Sequence, residues 1–115
     1  MQVYRGTVTA GLGKAGVLGF PTLNIPLADR ELSGIFAGTV AFDGQTYNAA
    51  LYADQERKIL EAHLLNFEGE IREGEIEITP LKKIREKEIF DNYELLKSAI
   101  EKDVQEITRF FEETT

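Results

Sequence analysis

The hydrophobic positions of this chain change period near its C-terminal end. From residue 1 to about residue 80 they come in short runs separated by turn residues, the pattern of β-strands. Val3–Ala10 alternates in β-branched character and Gly34–Phe42 reads GIFAGTVAF. Thr46–Ala53 follows after Asp43-Gly44, a dipeptide suited to a two-residue hairpin turn. Ile59–Asn66 and Glu75–Thr79 complete the series, the last alternating Ile76 and Ile78 with glutamates. Beyond residue 90 the step lengthens. Tyr93, Leu96, Ile100, Val104, Ile107 and Phe111 recur every three or four residues, which is one stripe of an amphipathic helix. The spacing predicts a helix from Tyr93 to Phe111, roughly 28 Å long at 1.5 Å per residue. Asp91 with Glu94 three residues on forms one N-cap pair, and Asn92 is the competing cap. Five or six strands with no helix between them predict an antiparallel sheet closed into a barrel. The helical stripe then has to cover an apolar surface on the side or end of that barrel.

Composition narrows the picture. A chain of 115 residues is one domain, here a barrel over about 1–90 and a helix over about 92–112. Apolar residues at 43% exclude disorder, yet no apolar run reaches the length of a membrane helix, and the N-terminus does not read as a signal peptide. Cysteine is absent, so neither disulfides nor thiolate metal sites hold the fold, and a cytoplasmic monomer is expected. A net charge of −7 argues against nucleic acid or a membrane as partner. Any phosphate site must be local, built from backbone amides, Lys14 and a metal ion.

Three segments carry candidate chemistry. In Gly11–Asn24, GLGKAGVLGFPTLN, the glycines Gly11, Gly13, Gly16 and Gly19 surround Lys14. Glycine lets backbone N–H groups turn toward an anion without side-chain hindrance. Thr22 and Asn24, two apart, share one face if the segment is a strand, and their oxygens suit a magnesium ion that also touches phosphate. The run lacks the Gly-Lys-Ser/Thr ending of a Walker loop, and its bland alternative is a glycine-rich connector. In Ile59–Asn66, ILEAHLLN, strand alternation puts Leu60, Ala62 and Leu64 on a core face and Glu61 with His63 on the other. Glu61 could take a proton from a hydroxyl nucleophile, or the two could be ordinary residues on the solvent side. A lone histidine is weak evidence for a metal. Leu81–Phe90, LKKIREKEIF, is the most basic stretch. It is either a solvated strand end or loop, or a place where Arg85 fixes a polar substrate edge and Phe90 supplies an apolar wall.

The order and spacing of these segments resemble the riboflavin kinase family of the bacterial and eukaryotic type, over nearly the whole chain. The family's Gly-Phe-Pro-Thr-x-Asn is Gly19 to Asn24 here, and its Glu-x-His strand is Glu61-Ala62-His63, leading to an acidic loop from Asn66 to Glu70. Its Ile-Arg-x-Glu-x-x-Phe-Asp falls on Ile84 to Asp91, with Lys87 at the glutamate position and without the proline usual after the arginine. The resemblance implies a six-stranded antiparallel Greek-key β-barrel with a C-terminal helix. It implies transfer of the γ-phosphate of ATP to riboflavin, giving FMN and ADP. The loop with Gly11, Gly13, Lys14, Gly19 and Pro21 would cover the nucleotide phosphates, while Thr22 and Asn24 would hold Mg2+ and phosphate oxygens. Glu61 would be the catalytic base, and Phe67, Arg85 and Phe90 would line the flavin.

Further departures accompany it. Gly16 stands where an arginine is common, and Glu70-Ile71-Arg72-Glu73 replaces Asp-Leu-Tyr-Gly. Besides the missing proline, the family's Ile-Gly-x-x-Pro-Thr segment is absent, and Leu51-Tyr52-Ala53-Asp54-Gln55 leads by a shortened connection to Ile59. The nucleotide half is therefore better preserved than the flavin half, which keeps a second expectation in play, a catalytically inactive flavin- or nucleotide-binding module. Bacterial members often carry this module behind an FMN adenylyltransferase domain, so the chain reads as a free-standing kinase or an excised module.

Overall fold

The strand signals mature into seven strands joined by six ladders. This computed structural model describes residues 2–10, 22–67, 71 and 73–114. The strands are β1 (Tyr4–Thr7), β2 (Thr9–Ala10), β3 (Leu23–Pro26), β4 (Gly34–Phe42), β5 (Gln45–Asp54), β6 (Ile59–Leu64) and β7 (Glu75–Arg85). One helix, α1 (Tyr93–Glu113), follows them. Asp43 and Gly44 join β4 to β5 with φ of 50° and 78°, the doubly positive pair that a tight hairpin needs. That turn sets the register from Phe42 opposite Gln45 to Gly34 opposite Ala53.

The sheet order is β1-β7-β4-β5-β6-β3-β2, with every neighbouring pair antiparallel. β1 and β2 are two halves of one strand broken at Val8, whose N–H donates to the Gly74 carbonyl at 2.9 Å. Its first half pairs with β7 and its second with β3, so a single bent strand occupies both edges of the sheet. Six strands thereby form a nearly closed barrel, which leaves little unpaired edge. Inside it, Ile25, Val40, Leu51, Leu60, Ile76 and Ile78 are buried to within 1% of full exclusion.

β7 runs six residues beyond the Thr79 limit that alternation suggests, straight through Pro80. Proline cannot donate to a ladder, and here it lies opposite Gly38 at a shift in register, where the pairing is already interrupted. The first part of the basic stretch is thus strand, with Lys82 opposite Ala37 and Lys83 opposite Phe36. β6 ends at Leu64, two residues short of the run's end, where a turn begins and Asn66 takes φ of 53°. At α1 the competing cap wins over Asp91. Asn92 is extended and its side chain accepts the Leu95 N–H at 2.9 Å. Ile107 is fully buried against the barrel and Asp103 nearly so, while Tyr93 and Leu95 stay exposed. No helix among the described residues is long and apolar enough to cross a membrane.

Candidate functional site

A cleft of about 1000 Å³ separates α1 and the 86–92 segment from the flank of the barrel. Its barrel wall comes from strand periodicity. β3 pairs β6 with Leu23 opposite Ala62, Asn24 opposite Glu61 and Ile25 opposite Leu60. Leu23, Ile25, Leu60 and Ala62 fill the core, so the alternating residues point outward. Leu64, assigned to the same core face, is only partly buried. Outward is not solvent here: Glu61 is 4% exposed and Asn24 9%. Thr22, Glu61 and His63 line the cleft together, while Asn24 is not among its lining residues.

The Glu61 carboxylate does not stand alone. Arg57 donates from Nη2 to Glu61 Oε1, and from Nε to Asp54 Oδ2 at 2.6 Å. Burial pushes the Glu61 carboxyl above its ordinary range, and the attraction of Arg57 only partly offsets it. Burial also acts against Asp54, but there Arg57 and the turn amides of residues 56 and 57 outweigh it and hold the carboxyl low. The site therefore contains one firmly ionised acid and one with raised proton affinity. A carboxylate of raised proton affinity is the better general base near neutral pH.

Thr22 Oγ1 is buried beside the Glu61 carboxylate, whose proton affinity it lowers slightly. With the Asn24 amide oxygen, across the ladder from Glu61, it gives two hard oxygen donors, a chemistry suited to a magnesium ion. Among the described residues no three acids, histidines or cysteines gather into a metal site. Gly11, Gly13, Lys14, Gly16, Gly19 and Pro21 lie outside the described residues, as do Glu68, Gly69, Glu70 and Arg72.

The helix wall differs from its expected form. Arg85, expected at a polar substrate edge, lines the cleft but directs Nε and Nη2 to the two oxygens of Asp103 at 2.9 and 2.7 Å. Its Nη1 donates to the Glu86 carbonyl at 3.0 Å, and its plane lies 5.8 Å from the Phe90 ring. Arg85 thus ties the end of β7 to α1 and seats Phe90, which does line the cleft. Phe67 packs edge-on against Tyr47, centroids 5.1 Å apart, and is not among the residues lining the cleft. Sequence reasoning missed Asp54, Arg57 and Asp103. Asp103 carried a signal, since it stands four residues before Ile107 and three after Ile100, inside the apolar face. Asp54 and Arg57 sit in the shortened connection, where no motif marks them.

The described residues thus form a nearly closed antiparallel barrel with a helix-roofed cleft that carries a buried carboxylate in its wall. The chain belongs to the riboflavin kinase family, whose model matches residues 2–111. It is 33% identical over 108 residues to a bifunctional riboflavin kinase/FMN adenylyltransferase of Pseudomonas fluorescens, covering 86% of this chain and 35% of that protein. It is 30% identical over 120 residues to an RNA-binding riboflavin kinase of Bacillus subtilis, covering 97% and 52%. The chain thus spans about a third to a half of the length of these relatives. The crystal structure of a macrolide-efflux protein from Streptococcus pneumoniae superposes with a TM-score of 0.70 at 22% identity, over 91% of this chain and 38% of that one, and shares the fold.

Proposed function

We propose that this chain transfers the γ-phosphate of ATP to the ribityl 5′-hydroxyl of riboflavin, giving FMN and ADP. The observation that carries the reading is the burial of Glu61 in the cleft wall, directly across the β3–β6 ladder from Asn24. Glu61 accepts the hydroxyl proton as that oxygen bonds to the γ-phosphorus and the bond to ADP breaks. Thr22 and Asn24 would hold Mg2+, which when bound neutralises charge on the phosphoryl oxygens. Phe90 gives the isoalloxazine an apolar surface, and the glycine loop carrying Lys14 supplies amides and a cation for the nucleotide. The RNA binding named for the Bacillus relative is not carried over, because a net charge of −7 opposes it.

The test is chromatographic separation of riboflavin from FMN after incubation with ATP and magnesium. A magnesium-dependent FMN peak supports the proposal. Saturable flavin binding with no FMN, at protein concentrations comparable with substrate, overturns it in favour of a binding module.

A further inference from the structure

The reaction as drawn leaves two groups at the site without a task. Asp54, 4% exposed, closes β5, and Arg57 lies in the turn leading to β6. Both fall in the segment where this chain departs from the family's Ile-Gly-x-x-Pro-Thr. The turn is held from several sides. Asp54 Oδ1 accepts the Glu56 and Arg57 N–H groups at 3.0 and 3.2 Å. Gln55 Nε2 donates to the Asp29 and Leu32 carbonyls at 2.7 and 2.5 Å, and the Leu27 N–H donates to the Lys58 carbonyl at 2.9 Å. A turn anchored this way presents its arginine in one place.

We propose that Arg57 is a positioning residue for phosphoryl transfer: braced on Asp54, it grips one oxygen of Glu61 so that the other is aimed at the acceptor hydroxyl. This rests on the reading of Glu61 as the base. The terminal torsion of a glutamate is broad, so strand register alone fixes where the carboxylate sits but not how its plane is turned. Proton transfer in a near-attack complex needs that plane fixed. A guanidinium is rigid and planar, so Nε on Asp54 and Nη2 on Glu61 set one carboxylate relative to the other. Arg57 meets Glu61 at Oε1 alone, and Oε2 is the oxygen that this proposal turns toward the substrate. A lysine, a point charge on a flexible stem, cannot bridge both acids in this way.

The test uses steady-state kinetics of the full chain with riboflavin, ATP and magnesium. Arg57→Ala is expected to lower kcat about 10- to 100-fold while the riboflavin KM stays within about threefold. Guanidinium at tens of millimolar should restore part of that loss. Arg57→Lys and Asp54→Asn should each lower kcat several-fold, and they carry the test if the alanine variant does not fold. Wild-type kcat in Arg57→Ala, or in both milder variants, overturns the proposal while leaving riboflavin phosphorylation standing. So does a loss that appears in KM alone and that guanidinium does not restore. A wild-type chain that makes no FMN overturns both readings together.

Discussion

The two walls of the cleft are built by different means. Thr22, Asn24 and Glu61 stand on or beside strands whose positions are fixed by backbone ladders on both sides of β6. Opposite them, α1 and the segment before it are held by side chains: buried Ile107, the Arg85–Asp103 pair, and the contacts of Glu86 with Ser33 and of Lys87 with Glu56. A ladder sets the spacing of its residues whatever the side chains are, whereas a clamp holds only while both partners remain. In the proposed reaction the chemistry sits on the ladder wall, where geometry matters to fractions of an ångström. The departures at Gly16 and in the shortened connection aside, the family pattern changes most on the flavin side, and a flavin wall can be remade by substitution without disturbing the base.

The sharpest way to separate the walls is Glu61→Gln, which keeps shape and removes the base. Its expected effect is a fall in kcat of about 10²- to 10⁴-fold, with flavin affinity little changed. Initial rates and fluorescence quenching of bound riboflavin measure the two quantities. Undiminished turnover would remove Glu61 from its role and end the contrast drawn here.

Asp103→Ala attacks the other wall. It strips the partner from Arg85, whose side chain is only 24% exposed, and leaves that guanidinium half-buried and unmatched. A cost of about 3 kcal/mol is expected, at the lower end for a broken buried pair. Urea unfolding should show it as a lower midpoint with an unchanged slope. Because Arg85 also seats Phe90, the riboflavin KM should rise more than kcat falls. A larger effect on kcat than on KM would mean the helix wall reaches the chemistry directly.

Gly38→Ala tests the barrel itself. A Cβ there would stand 2.4 Å from Leu51 Cδ1 and 2.5 Å from the Thr79 carbonyl oxygen. Leu51 can turn aside, but the Thr79 backbone cannot move without disturbing β7 at its bulge. Overpacking of this kind costs about 2 kcal/mol. A drop in thermal midpoint with kcat per folded molecule preserved would place the strain in the wall and not in the site.

What the sequence revealed follows the same division. A continuous apolar run located β4, while alternation located β6 and a three- to four-residue period located α1, because these two bury one face and are polar or charged on the other. Glu61 and Asn24 were legible for that reason, and so was the hairpin at Asp43-Gly44. Their burial was not, since alternation tells which face a residue takes but not what covers it. Two side-chain pairings were equally invisible. Arg85 meets Asp103 across a separation of 18 residues. Arg57 meets Asp54 and Glu61 inside a turn that no periodicity describes. The length of β7 was missed for a related reason: alternation stops at Thr79, and pairing carries on through Pro80 at a register shift against β4.

The smallest effect bears on whether the two walls move independently. Asn92 caps α1 by accepting the Leu95 N–H, and Tyr93 and Leu95 in that first turn are more than half or half exposed, at 58% and 50%. Few contacts besides the cap fix this end of the helix over the cleft. Asn92→Ala should therefore cost about 1 kcal/mol. Fraying of the first turn should account for it, seen as faster amide exchange at Leu95 with exchange at Ile107 unchanged. Flavin affinity should fall slightly, because the cleft lining includes Tyr93 and Leu96 from this turn and the next. Turnover at saturating riboflavin should stay at the wild-type level, since Glu61 and its ladder are untouched. A matching fall in kcat would show that the helix end and the base are coupled, and the division between a ladder wall for chemistry and a clamped wall for recognition would have to be given up.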